Sequence, residues 1–243
     1  MNPERGGASR APAAVPAWMR GLWRRRSITC SDGRRDDTTI VYWLQTESAF
    51  ADIRIPADRP DLRDRGGLDA LSEDELAQLA RQAGFAGWTE LDGERCHWHR
   101  VIDFQPPTGV ADEGRLRLQD GVLVEEGIHE PYVEIWEPVD CGRAPPDSPR
   151  PARLEGARRA LLVTCGDAFI HVRDRAVALP RAASLETLVR AAGGRRDAIV
   201  PLLDCEISFG SCRGGHLPWE IQLSTLPFHE GRSLVGPDGG LAC

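Results

Sequence analysis

Tyr132, Glu134 and Trp136 alternate along segment 131–138, and side chains two apart in an extended chain point the same way. The pattern recurs. Trp98 and Arg100 share a phase in segment 96–105, followed on that phase by Ile102 and Phe104. Phe50, Asp52 and Arg54 do so in 50–56, and Trp43 and Gln45 in 40–46. A solvent face has no use for the tryptophans, and a dry core does not tolerate unpaired charges. A lined, ligand-sized cavity accommodates both. The chemistry this implies is recognition. Rings supply apolar contact, while a guanidinium can hold a carboxylate in a bidentate pair and stack on a ring at once. Two interior ion pairs are expected, Asp52 with Arg54 and Arg100 with Glu134. Arg25 lies on the same phase, so three arginines face two carboxylates, which favours an anionic or partly aromatic ligand. A polar network that satisfies itself is the alternative.

His97 and His99 flank Trp98 and project together to the opposite face, with Asp103 on their phase and His129 as a possible fourth ligand. That set would suit a cupin-like metal-dependent enzyme. Such a site normally places Glu four or five positions after the second histidine, where Asp103 stands here, and a solvated or hydrogen-bonded histidine pair is the reading the motif favours. Glu125 and Glu126 are neighbours and face opposite ways in a strand, so they cannot act as an acid–base pair. Ser208 and Ser224 lack the sharp glycine-flanked elbow of a hydrolase, and Cys205 and Cys212 have no histidine at a telling distance. No catalytic residue, metal ligand or cofactor is assigned.

The elements that must carry these residues are mostly strands. Segments 21–30, 40–46, 50–56, 85–91, 96–105, 114–118, 121–127 and 131–139 read as about eight strands before Asp140, with turns at Ser31-Asp32-Gly33 and Asp92-Gly93. Between the third and fourth, 72–83 reads as a helix. Ser72 and Glu75 form a capping box, acids fill the first turn, and Leu76, Leu79, Ala80 and Ala83 make an apolar stripe. Residues 1–17 read as a disordered tail and 141–158 as a proline-rich linker. A smaller module over 159–231 has strands at 159–165, 168–175, 202–210 and 219–226 and a helix over 184–192. A frayed tail covers 232–243.

The 243 residues carry a net charge of −7, which argues against a nucleic-acid binder. All 30 basic residues are arginine, so lysine Schiff-base chemistry is excluded. The seven cysteines, with no short-spaced pair, read as free thiols of a reducing, cytoplasmic protein. No export signal and no membrane-spanning apolar run is evident.

Gly21-Leu22-Trp23 resembles the Gly-x-Trp of lipocalin-like barrels, where the ring closes one end. Val124-Glu125-Glu126-Gly127, followed by Glu134-x-Trp136-x-Pro138-Val139-Asp140, resembles the fungal HRI-type family of kinase-interacting proteins, which has bacterial relatives. Phe85-Ala86-Gly87 and Trp219-Glu220-Ile221 fit that pattern. The fungal members carry a Thr between the acidic pair and the glycine that is absent here. The resemblance spans residues 18–226 and implies two lipocalin-like halves of no established activity. No matched motif carries the kinase-binding role.

The expectation is therefore a mainly β protein. A lipocalin-like antiparallel barrel over 18–140 is joined to a second, smaller β-rich module, with two short helices. Its cavity would bind an unknown small molecule through Trp23, Trp43, Gln45, Asp52, Arg54, Trp98, Arg100, Tyr132, Glu134 and Trp136. A metal enzyme built on His97 and His99, and a scaffold whose surface binds a protein, are the alternatives.

Overall fold

The computed structural model describes residues 14–142, 150–155 (backbone), 158–211 and 219–234. The first part is a meander of strands: β1 (Gly21–Cys30), β2 (Arg35–Asp36), β3 (Ile40–Gln45), β4 (Ala49–Ile55), β5 (Ala83–Asp92), β6 (Arg95–Asp103), β7 (Glu113–Gln119), β8 (Val122–Gly127) and β9 (Tyr132–Val139). Each strand pairs antiparallel with its neighbour, two-residue β2 lies on the end of β1, and β9 returns to pair with β1 from Leu22↔Val139 to Cys30↔Tyr132. Eight strands thus close an up-and-down barrel, the lipocalin-like antiparallel barrel expected from the sequence, with no free edge between β1 and β9.

The alternation of the sequence sorts residues between two cores. Inward, Trp23, Val41, Trp43, Phe50, Phe85, Cys96, Trp98, Leu116, Leu123 and Trp136 form one apolar cluster with Val15 and Met19. Trp23 donates its indole N–H to the Met19 carbonyl at 2.9 Å and sits at the closed end. Val15, ahead of the expected start of the barrel, is fully buried, and its N–H donates to Glu47 O; residues 1–13 of the expected tail lie outside the described residues.

Outward, Leu22, Leu44, Ala51, Ile53, Ile55 and Ala86 form a second cluster. This face is covered by a second antiparallel sheet of β10 (Arg150–Glu155), β11 (Arg158–Cys165), β12 (Ala168–Arg173), β13 (Glu206–Ser211) and β14 (Glu220–Ser224). Val163, Ile170, Val172 and Ile207 meet the barrel there, and Phe209 stacks on Tyr42 with ring centroids 4.1 Å apart. Each such aliphatic burial stabilises by roughly 1.5–3 kcal/mol, so the two parts share one apolar core. Arg175 adds a polar seam, donating to the carbonyls of Leu202 at 2.9 Å, Asp103 at 2.9 Å and Phe104 at 2.7 Å.

The helices are α1 (Glu73–Leu79), α2 (Leu185–Ala191) and α3 (Arg196–Leu203). The Ser72–Glu75 capping box forms as expected: Ser72 Oγ accepts from the Glu75 N–H at 3.2 Å, and Glu75 Oε2 accepts from the Ser72 N–H at 2.7 Å. α3 is one helix more than the two expected. Its Ile199-Val200-Pro201 run lacks a helical signature, yet Ile199 and Leu203 anchor it in the shared core. β10 falls within the expected linker, whose residues 143–149 and 156–157 lie outside the described residues. Among the described residues no helix is long and apolar enough to cross a membrane.

The cysteines correct a second expectation. Cys141 and Cys165 are joined as a disulfide with Cα atoms 6.0 Å apart, because the end of β9 runs beside the β11–β12 turn. Cys30, Cys96 and Cys205 are free, while Cys212 and Cys243 lie outside the described residues.

Candidate functional site

The barrel is filled at the Trp23 end and hollow at the other. There a cavity of about 450 Å³ opens between the Ser31–Arg34 turn and Glu130-Pro131. Of the ten residues expected to line it, eight do: Trp43, Asp52, Arg54, Trp98, Arg100, Tyr132, Glu134 and Trp136. Trp23 and Gln45 face inward but belong to the filled end. Gln45 is spent on the Thr46 and Ala49 carbonyls and on the Thr89 hydroxyl, which donates to its Oε1 at 2.9 Å. Trp43 forms the floor, edge-on to Trp136 at 5.5 Å and to Trp98 at 6.1 Å.

The charges are paired differently from the sequence expectation in one case. Asp52 does pair with Arg54, at 2.7 Å, and also accepts the Phe85 N–H at 2.9 Å. Arg100, however, does not reach Glu134. β7 and β8 lie between their strands, and Arg100 instead binds Asp103 at 2.9 Å and Asp112 at 2.8 Å while its guanidinium lies 3.6 Å over the Phe85 ring. The partner of Glu134 is Arg25, at 2.8 Å, which also holds Asp36 at 2.9 Å; Arg54 stands 3.7 Å from the same Glu134 oxygen. All three interior arginines therefore have carboxylate partners.

Two β-bulges account for the remaining differences. The β5–β6 register steps from Ala86↔Ile102 to Gly87↔Arg100, leaving Val101 as an extra residue. A bulge inverts the phase beyond it, so Ile102 and Phe104 join the outer core and Asp103 turns inward to Arg100. A second bulge between Arg25 and Ser27 turns Ile28 and Cys30 into the cavity wall.

One interior carboxylate is not among the residues the alternation singles out. Glu125 is correctly placed opposite in face to Glu126, but it stands directly across the β8–β9 ladder from Glu134, inside the barrel. It is 5% exposed, and accepts from the Tyr132 hydroxyl at 2.7 Å and the Trp136 indole N–H at 3.1 Å. Burial, with Glu134 beside it, pushes its carboxyl up to about 8. Burial likewise pushes Asp52 up against the pull of Arg54, and burial with Glu125 nearby holds the Tyr132 hydroxyl protonated. Two buried polar atoms, Glu134 Oε2 and Trp43 Nε1, have no hydrogen-bond partner among the described residues.

Outside the barrel, His97 and His99 do share a face, with ring centroids 3.8 Å apart. Asp103 is not with them, because of the Val101 bulge, and His129 is taken by Glu113 at 2.7 Å. Glu90, opposite His97 on β5, completes a three-ligand group of an exposed carboxylate and two half-buried imidazoles whose donor atoms lie within 4.8 Å of one another. The β6–β7 ladder is only three residues long, and Trp98, Arg100, Asp112, Glu130 and Tyr132 consequently line both the inner cavity and an outer groove of about 720 Å³.

Fold and site together define a closed up-and-down antiparallel barrel with a polar and aromatic interior cavity. The chain is similar in fold to the crystal structure of the uncharacterized protein YLR301w from Saccharomyces cerevisiae, with a TM-score of 0.53 and 12% identity over 84% of each chain. A lipocalin-like protein from Bacteroides uniformis aligns at a TM-score of 0.32 and 15% identity, covering 50% of this chain and 99% of that one, too loose a superposition to bear on the fold. No protein-family model matches the sequence, and no curated protein matches it.

Proposed function

We propose that the barrel is a small-molecule-binding protein and that its ligand occupies the cavity between Trp43, Trp98, Trp136 and the charged residues of the open end. One observation carries this reading: the interior holds about 450 Å³ of space walled by both rings and fixed charges. A ligand pocket combines apolar contact surface with placed polar groups, and here nine charged residues stand among the rings. A scaffold barrel would instead be filled at both ends, as this one is around Trp23. The similarity of segment 122–140 to the HRI-type family supports a distant relationship to it, without a role in kinase binding.

The test is titration of the full chain with the fluorescent apolar dye N-phenyl-1-naphthylamine. Binding at one site, with energy transfer from the tryptophans, is expected. Ile28 lines the cavity, so Ile28→Trp should fill space and weaken the dye roughly tenfold or more while leaving the melting temperature nearly level. Unchanged affinity in that variant would place the dye elsewhere and refute the reading.

A further inference from the structure

Three interior arginines alone would call for an anion, and the pairing geometry argues the reverse. Resting on the cavity reading above, we propose that the ligand is an organic cation. Its amine or amidinium head is held by Glu125 and Glu134, and its apolar body lies against Trp43, Trp98 and Trp136.

The first support is the balance of charge. The residues lining the cavity include six carboxylates (Asp32, Asp52, Asp112, Glu125, Glu130 and Glu134) against three guanidiniums (Arg34, Arg54 and Arg100). The second is saturation. Arg25, Arg54 and Arg100 each hold carboxylates at 2.7–2.9 Å, so an anion would have to displace a partner already in place. The third is what remains unsatisfied. Glu125 accepts only from the neutral donors Tyr132 and Trp136 and has no salt bridge among the described residues. Glu134 keeps one oxygen without a hydrogen bond although it is 1% exposed. Glu134 has Arg25 at 2.8 Å, so of the two carboxylates that face each other across the ladder Glu125 is the one without a guanidinium, and a ligand cation or a proton must neutralise it. Burial, with Glu134 beside it, raises the Glu125 carboxyl in keeping with this. The surrounding indoles favour the same ligand, because their ring faces attract cations.

The experiment compares three probes of one shape and different charge: phenethylamine, 2-phenylethanol and 3-phenylpropionate, titrated calorimetrically into the full chain in buffers of differing ionisation enthalpy. Phenethylamine is expected to bind roughly tenfold or more tighter than either analogue and to release about one proton as it replaces the one on Glu125. Its affinity should rise roughly tenfold or more between about pH 6.5 and about pH 8.5. Glu125→Gln should remove the proton release and the preference for the amine over 2-phenylethanol. Equal affinity for all three, or tighter binding of the carboxylate, overturns the proposal and leaves the cavity reading standing. Failure of all three to bind overturns both. The wild-type comparison needs no variant, so misfolding of Glu125→Gln would not shield the proposal.

Discussion

Replacing Arg25 by Met retains most of the side-chain volume and removes only the charge, which makes it the sharpest test of how the interior is held. The Arg25 side chain is 6% exposed and that of Glu134 is 2% exposed, and they meet at 2.8 Å. Without Arg25, Glu134 keeps only Arg54 at 3.7 Å. Asp36 is less affected, because it still accepts the Thr38 and Thr39 N–H groups at 2.9 and 3.0 Å. Stranding one partner of a buried pair costs roughly 3–5 kcal/mol. In a chain of this size each kcal/mol moves the melting temperature by about 2–4 °C, so a fall of roughly 6–20 °C is expected. Adding Glu134→Gln should recover much of it, since neither charge is then left alone. The control is the pair Arg100→Met and Glu134→Gln. These residues do not touch, so their effects should add within about 0.5 kcal/mol. Urea and thermal melts of the three single and two double variants decide the matter. Coupling between Arg100 and Glu134 as large as that between Arg25 and Glu134 would refute the pairing described above.

Three further outcomes can be checked directly. Glu125 is raised from 4.5 to about 8 in the folded protein, so the folded state holds a proton that the unfolded chain releases. Its stabilising contribution is fully present below about pH 4.5 and is lost as the pH rises to about 8, and a melting-temperature profile of Glu125→Gln should lack that decline. Gly87 lies where a Cβ would come within 1.8 Å of the His99 carbonyl oxygen across the bulge; Gly87→Ala should cost more than about 3 kcal/mol or prevent soluble expression, and a near-neutral variant would contradict the bulge. Alkylation of the denatured, unreduced protein followed by peptide mass mapping should label Cys30, Cys96 and Cys205 and leave Cys141 and Cys165 joined, whereas label on Cys141 and Cys165 would rule out the disulfide.

Much of the barrel is legible in the sequence because its two signals agree. Turn residues mark the ends of the strands, and period-two alternation marks their faces. The segment 49–55 shows both faces at once: Phe50, Asp52 and Arg54 point inward, while Ala51, Ile53 and Ile55 point outward. That second, wholly apolar set requires a cover, and the second sheet supplies it. What alternation does not reveal is a bulge. One extra residue at Val101 moved Ile102, Phe104 and Asp103 to the opposite faces, and so removed Asp103 from the histidines and gave it to Arg100. Nor does the sequence show which strands are neighbours once the barrel closes, so Arg100 and Glu134 shared a phase without sharing a wall.

The charge balance of the cavity lining differs from the count at alternating positions, and the difference follows from the same limits. A count restricted to alternating strand positions finds three arginines and two acids. The acids that reverse that balance come from elsewhere. Asp36 stands on a two-residue strand too short to carry a pattern, Asp112 just ahead of β7, and Glu125 in a strand where an adjacent glutamate on the other face disguised it. Glu125 acquires its meaning only from Glu134, nine residues on and directly across the ladder. Interior charge in a closed barrel is therefore a property of the pairing between strands, and the pairing here gives each interior arginine a carboxylate and leaves Glu125 without a guanidinium.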